Sequence, residues 1–346
     1  MNQQKKISVI VPCYNVEPFI DRCFKSLINQ TIGLNNIELI FVDDASTDGT
    51  WTKLLQFEAL YPDYVLAIHN DVNRRQGYCR NIALDYVSAK YVSYVDSDDW
   101  LELDCLEIML KAAEEYDADV VSCQAMRDYG NGKIIKLRVR EPKETMFYDL
   151  SNNLAARKDM LLFDRLGTVA WGKLIRRKFL IDNSIFFPEG IIYEDIPWSA
   201  ICYVHLCKAI VLEDYLYHYF VNFDSTVLCN KQTNYRDMFE SNYIKWEQFQ
   251  LRGAFEVMPK EVEYDFLMTY YFGILKLFGK REGDIPMDAF MELQQFILRN
   301  MPEYNNNPYV QTCLKEDVKV LLGFIDKRIN DIQLKEIHSY IQKLNI

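Results

Sequence analysis

Four short apolar runs, Ile7 to Val11, Ile37 to Val42, Val65 to His69 and Tyr91 to Val95, alternate with amphipathic stretches along the first part of the chain. Runs this continuous in aliphatic residues suit strands covered on both faces. Strands alternating with helical patterns build an open, mainly parallel sheet with helices on either side. Pro18 stands ahead of the series Ile20, Phe24, Leu27 and Ile28, where a first-turn proline is tolerated. Ser46, Thr47 and Asp48 offer caps for a helix from about Thr50 to Leu60. A helix over about Leu103 to Tyr116 and a fifth strand around Val120 to Gln124 extend the series to a turn at Gly130 to Gly132. From Lys143 to Asp224 the alternation gives way to short elements rich in aromatic and charged residues. Beyond about Val227 only helical periodicity remains, over Tyr235 to Leu251, Val262 to Phe278, Met287 to Asn300 and Leu334 to Leu344. Phe239, Tyr243, Trp246 and Phe249 recur there at helical spacing and read as core. The fold class expected is therefore α/β followed by an all-helical region, divided near Leu228.

A chain of 346 residues can bury a full core around a cleft. Its net charge of −11 excludes broad nucleic-acid binding, which needs a basic surface. The nine cysteines are scattered without a C-x-x-C pair, which points to reduced core thiols rather than zinc or disulfides. Met1 to Lys6 run into the first strand without a signal-peptide apolar region, and Phe266 to Phe278 is too short for a span and carries Lys276. A cytoplasmic protein is expected, with peripheral contact at the inner face of a membrane and a homodimer both left open.

Ligands of open α/β sheets bind outside the carboxyl ends of the strands. Three such ends here are polar: Pro12-Cys13-Tyr14-Asn15, Asp43-Asp44-Ala45-Ser46 and Asp96-Ser97-Asp98-Asp99. Each taken alone could be a cap or a turn. Three carboxylates within four residues repel one another, however, and a shared hard cation such as Mg²⁺ or Mn²⁺ relieves that. Such an ion completes its shell with substrate phosphates. Neither G-x-x-x-x-G-K-[ST] nor G-x-G-x-x-G follows any strand, so a diphosphate would rely on the metal.

The motifs come in an order that resembles family 2 glycosyltransferases of GT-A (Rossmann-like) fold, over Ile7 to about Ser225: Ser8 to Asn15, Val42 to Thr50, Gly77-Tyr78-Cys79-Arg80-Asn81 and Asp96 to Trp100. Trp171-Gly172-Lys173-Leu174, Phe187-Pro188-Glu189-Gly190 and Tyr193-Glu194-Asp195 look like the acceptor-side motifs of bacterial capsule and exopolysaccharide transferases. The resemblance implies a catalytic domain over 1–228, with a nucleotide-sugar half (1–125) and an acceptor-side half (126–228), and a helical region over 229–346. It implies a nucleotide-sugar set of Pro12, Tyr14, Asn15, Glu17, Asp43, Asp44, Arg80, Asp96, Ser97 and Lys173. Tyr14 would stack on the base and Asp44 would accept from it, while Arg80 lies near the diphosphate. Asp96-Ser97-Asp98 matches the D-x-D motif, giving Asp98 and Asp96 as ligands of Mn²⁺ or Mg²⁺, with His218 a further candidate. Asp195 matches the catalytic base and Glu194 would steady it. One departure stands out: where many relatives carry a basic residue after the last Tyr-rich strand, this chain has Phe220, so that either His218 or Lys173 takes over a phosphate contact or the donor is held differently.

The implied activity is inverting, metal-dependent transfer of a hexosyl or N-acetylhexosaminyl group from a nucleoside-diphosphate sugar, a UDP-sugar by family habit. The acceptor is a hydroxyl of a glycan or lipid-linked oligosaccharide in bacterial surface polysaccharide synthesis. A glycoside hydrolase would leave the residues after the first two strands unexplained. A sugar nucleotidyltransferase would carry a Gly-rich basic loop after the first strand, where this chain has Pro12 to Asn15. The non-enzymatic alternative is a silent nucleotide-sugar module acting through its C-terminal helices.

Overall fold

The computed structural model describes residues 4–137, 144–222, 234–280 and 284–344. The chain divides into two compact units, Met1–Asp224 and Ser225–Ile346. The division expected near Leu228 lies outside the described residues.

In the first unit the expected βα series forms: β1 (Ile7–Cys13), α1 (Ile20–Ile28), β2 (Ile37–Asp43), α2 (Thr50–Leu60), β3 (Val65–His69), α3 (Arg75–Leu84) and β4 (Tyr91–Tyr94). Every residue of β1 is buried, as a central strand covered on both faces requires. Helix α1 buries Ile20, Cys23, Phe24 and Leu27, the i, i+3, i+4, i+7 stripe of an amphipathic helix. The Phe24 ring stacks on Phe57 of α2 at 3.8 Å between centroids, so both helices are pinned to one side of the sheet. Burying side chains of this size stabilises by about 1.5–3 kcal/mol each.

The rest of the unit adds β5 (Trp100–Leu101), α4 (Cys105–Glu115), β6 (Val120–Asp128), β7 (Ile134–Leu137), β8 (Met146–Asp149), α5 (Leu154–Leu162), β9 (Lys173–Arg176), α6 (Arg177–Asp182), α7 (Asp195–His205) and β10 (Lys208–Phe220). Along the sheet the order is β3-β2-β1-β4-β9-β6-β10-β5, with β7 on β6 and β8 on β10. The half from β3 to β4 is parallel. Beyond it the sheet is mixed rather than mainly parallel, because β9 inserts antiparallel between β4 and β6 and the pairs β10–β5, β10–β8 and β6–β7 are antiparallel. Strand β1 lies between β2 and β4, so the chain reverses direction across the sheet there, and the loops after β1 and β4 open a crevice.

The second unit is helical, as the periodicity implies, with Asn234–Leu251 and Met287–Asn300 among its longer helices. The stretch expected as one helix over Val262 to Phe278 runs as Pro259–Phe266, a π-helical turn Leu267–Phe272 and Gly273–Gly279. Phe239 and Trp246 pack within this unit, against Tyr270 at 5.5 Å and Phe266 at 4.6 Å. No helix among the described residues is long and apolar enough to cross a membrane.

Candidate active site

The loops after β1 and β2 are fastened to each other by side chains. The Asn15 amide donates to Ser46 Oγ at 3.0 Å, and its Oδ1 accepts the Thr47 N–H at 2.8 Å. Asn15 takes φ 51°, a left-handed conformation that asparagine tolerates. Glu17 accepts the Gly49 N–H at 2.8 Å and donates its own N–H to Asp48. Asn15 and Glu17, expected in the nucleotide set, are therefore engaged in holding the two loops together. Pro12 is buried beneath them, and Tyr14 is 45% exposed, as an open stacking surface would be.

Asp43 and Asp44 end β2 and are both buried. Asp43 Oδ2 accepts the Ser46 N–H at 3.2 Å and lies 2.8 Å from His69 Nδ1, while Oδ1 is buried without a partner. Asp44 accepts the backbone N–H groups of Arg74 and Arg75 at 2.7–3.1 Å and the Asn70 carboxamide at 2.8 Å. Its carboxylate thereby ties the end of β2 to the start of α3.

After β4 the chain turns through Asp96 to Asp99. Asp99 faces inward: its Oδ2 accepts from the Tyr217 hydroxyl and its Oδ1 from the Phe220 N–H, both at 2.7 Å. Burial, and then the neighbouring Asp98 and Asp96, push its pKa well above the usual carboxylate range. Asp96 and Asp98 keep partial exposure. Asp98 is raised to about 6 by burial and then by the charge of Asp96, while Asn222 donates to it at 3.3 Å. Ser97 is buried against the Cys13 thiol of β1.

Arg80 joins this turn to the acceptor-side motifs. It is buried on α3; Nη1 donates to Glu194 and Nη2 to Asp96 Oδ1 and Gln76 Oε1, each at 3.0 Å for the latter two. Burial lowers the guanidinium's pKa, but Glu194, Asp96 and Asp195 more than offset it, so the cation is permanent. Its plane lies over Phe187, which stacks on Trp198. Asn81, on the same helix, brackets Phe187 by donating to its carbonyl at 2.9 Å and accepting its N–H at 3.0 Å. Gly77 has to be glycine, because a Cβ there would drive into the Pro188 carbonyl oxygen.

Glu194 and Asp195 begin α7, after Tyr193 in a left-handed conformation at φ 67°. A capping role would have Glu194 accept from the first turn, yet no side-chain cap is made; the carboxylate goes to Arg80 instead. Asp195 is partly exposed, and its pKa is raised to about 7 by desolvation first and the Glu194 charge second. A carboxylate so poised can accept a proton near neutral pH.

Lys173 and His218 do not fill the roles expected of them. Lys173 is buried, with Nζ donating to the carbonyls of Gly167 and Val169, which leaves it bracing the loop before Trp171. His218 stacks on Trp100 at 4.7 Å and sets Nε2 2.8 Å from Glu102. Among the described residues no three of His, Cys, Asp and Glu gather so as to hold a metal ion, so His218 does not complete a set with Asp96 and Asp98. Two neighbouring hard carboxylates, one of them raised in pKa by burial and then by the other's charge, nonetheless fit an Mg²⁺ or Mn²⁺ ion that draws its remaining oxygens from water and phosphate. Phe220 lies against Phe19 and Trp100. Four residues missed by sequence reasoning belong to this site: Gln76, Tyr217, Asn222 and Arg22. Of these only Arg22, a basic residue in the first turn of an amphipathic helix that also carries Lys25, offered a signal, and a weak one.

The family description "Glycosyl transferase family 2" matches residues 8–183. The uncharacterized glycosyltransferase YibD of Escherichia coli is 30% identical over 251 residues, 71% of this chain and 70% of that protein. The poly(ribitol-phosphate) beta-glucosyltransferase of Bacillus spizizenii is 31% identical over 221 residues, and the chain matches 33% of its length. Among solved structures, Staphylococcus aureus TarS 1-349 in complex with UDP-GlcNAc superposes with a TM-score of 0.68 at 20% identity, covering 98% of this chain and 90% of the other.

Proposed function

This chain belongs to glycosyl transferase family 2, and from that premise we propose that it transfers a sugar from a UDP-sugar to a hydroxyl of a glycan or lipid-linked acceptor, inverting the anomeric carbon. The observation that carries the reading is the connection through Arg80 of Asp96, on the D-x-D turn, with Glu194, beside a carboxyl raised to about 7. In this reading 1–228 is the catalytic domain, in halves 1–125 and 126–228, and 229–346 is a helical appendage. TarS was solved with UDP-GlcNAc, which favours the UDP-sugar donor.

Asp195 accepts the proton of the acceptor hydroxyl as its oxygen bonds to the anomeric carbon, while the bond from that carbon to the diphosphate oxygen breaks on the opposite face. Glu194, paired with Arg80, places its charge beside Asp195 and so adds to the rise of the Asp195 pKa. A single displacement inverts the centre, which from an α-linked nucleotide sugar gives the kind of β product named for the Bacillus relative. Asp96 and Asp98 are the residues that would hold Mn²⁺ or Mg²⁺, which supplies Lewis-acid stabilisation of the departing diphosphate. Arg80 keeps Asp96 aimed, and Tyr14 offers its exposed ring to the base. We place the reaction in the cytoplasm or at the inner membrane face.

The test is UDP release from UDP-sugars with glycan acceptors, comparing the natural protein with Asp98→Ala. We expect metal-dependent release that the substitution cuts by about 10²-fold or more, the scale of losing one preorganised electrostatic contact. Equal turnover by Asp98→Ala, or turnover indifferent to chelator, would remove the metal from this reading.

A further inference from the structure

The cleft's least expected feature is Arg22 on α1. Its guanidinium lies 3.6 Å above the Trp100 ring and 4.5 Å from the Phe220 ring, so two aromatic faces hold the plane. From there Nη2 donates to the main-chain carbonyl of Asp98 at 3.1 Å. Nε is buried without a hydrogen-bond partner, an unusual cost for a cation that could instead extend into water. Helix α1 does not need the residue for docking, since Ile20, Cys23, Phe24 and Leu27 already bury its apolar stripe. Asp98, Asp99 and Asp128 are the carboxylates that favour its charge against burial. Phe220 is not a gap in the site: it is one wall of the slot that aims Arg22.

We propose that Arg22 is a positioning residue of the transfer reaction, fixing the Asp96–Asp98 turn through the Asp98 peptide so that both carboxylates face one cation. The inference rests on the nucleotide-sugar reading above. Its sign is informative. By electrostatics alone, removing a positive charge beside a cation site would tighten metal binding. Loss of the clamp would weaken it instead, on the scale of roughly 10- to 100-fold seen when outer partners of a metal ligand are removed. Lysine has no planar fork to lie between Trp100 and Phe220, so it should not substitute.

Calorimetric titration of the whole chain with Mn²⁺ alone, and then with UDP with and without Mn²⁺, separates the outcomes. For Arg22→Met and Arg22→Lys we expect Mn²⁺ affinity to fall roughly 10- to 100-fold while UDP affinity at saturating Mn²⁺ stays unchanged. Unchanged or tighter Mn²⁺ binding in either folded variant overturns the proposal, as does a lowered melting temperature with Mn²⁺ affinity intact, which would make Arg22 a purely structural clamp. Should Arg22→Met fail to fold, Arg22→Lys retains the charge and the same readout. A natural protein that binds neither Mn²⁺ nor UDP would overturn the nucleotide-sugar reading itself, a result distinct from any variant's.

Discussion

Asp195 is where chemistry and burial meet most directly. Its pKa of about 7 arises from desolvation opposed by Arg80, with Glu194 adding to the rise. The reactive form is the carboxylate, which exists above that value, so kcat/KM should fall as pH drops below about 7, approaching tenfold per unit. Above it the rate should level off. A pH–rate profile flat down to pH 5 would exclude Asp195 as the base. Asp195→Asn keeps the shape and loses the proton acceptor; transfer should drop by about 10²- to 10⁴-fold while UDP affinity holds. Single-turnover rates beside calorimetry distinguish that from a binding defect. At this scale the sequence was legible in part: Asp96, Asp98, Arg80, Glu194 and Asp195 stood out as motif letters. Their linkage did not, since Arg80 and Glu194 are separated by 114 positions and meet only once α3 and α7 are placed.

Helix α3 shows how an element transmits that placement. Asp44 accepts the N–H groups of Arg74 and Arg75 at its start, Gly77 lets it approach the Pro188 carbonyl, and Asn81 brackets Phe187. Gly77→Ala should therefore push α3 and the 188 loop apart, costing about 1–3 kcal/mol as overpacking does, and transfer should weaken as Arg80 loses its aim at Glu194. A melting temperature and turnover both equal to the natural protein's would refute this coupling. The βα series was readable because each strand is a local apolar run and α1 repeats its apolar stripe at 3.6-residue spacing. Strand β9 was not: four residues, Lys173 to Arg176, become a strand only through distant partners, Val92 on one side and Val120 on the other. Strand β10 was legible only at its Tyr-rich end, since its pairing with β6 is interrupted by register shifts between Val211 and Tyr217.

Taken as a whole, the chain is acidic, with a net charge of −11, and it concentrates carboxylates where an anionic diphosphate is to bind. That conflict is the strongest argument for a cation in the reading proposed here. Arg80 is consumed by Glu194 and Asp96, and Lys173 by backbone carbonyls. Nucleotide binding should then be conditional on metal. UDP at about 100 times its Kd stabilises the native state by about 2.7 kcal/mol. For a unit of this size that raises the melting temperature by roughly 5–10 °C, well within reach of a thermal scan. We expect the rise with UDP and Mn²⁺ together, little with UDP alone, and its disappearance on adding a chelator. In the reading proposed here GDP, dTDP and CDP should give smaller rises, because the base would meet the exposed Tyr14 ring while the diphosphate is common to all. Equal shifts for every nucleotide would mean that only the diphosphate is recognised, and a full shift without metal would mean that protein cations alone neutralise it.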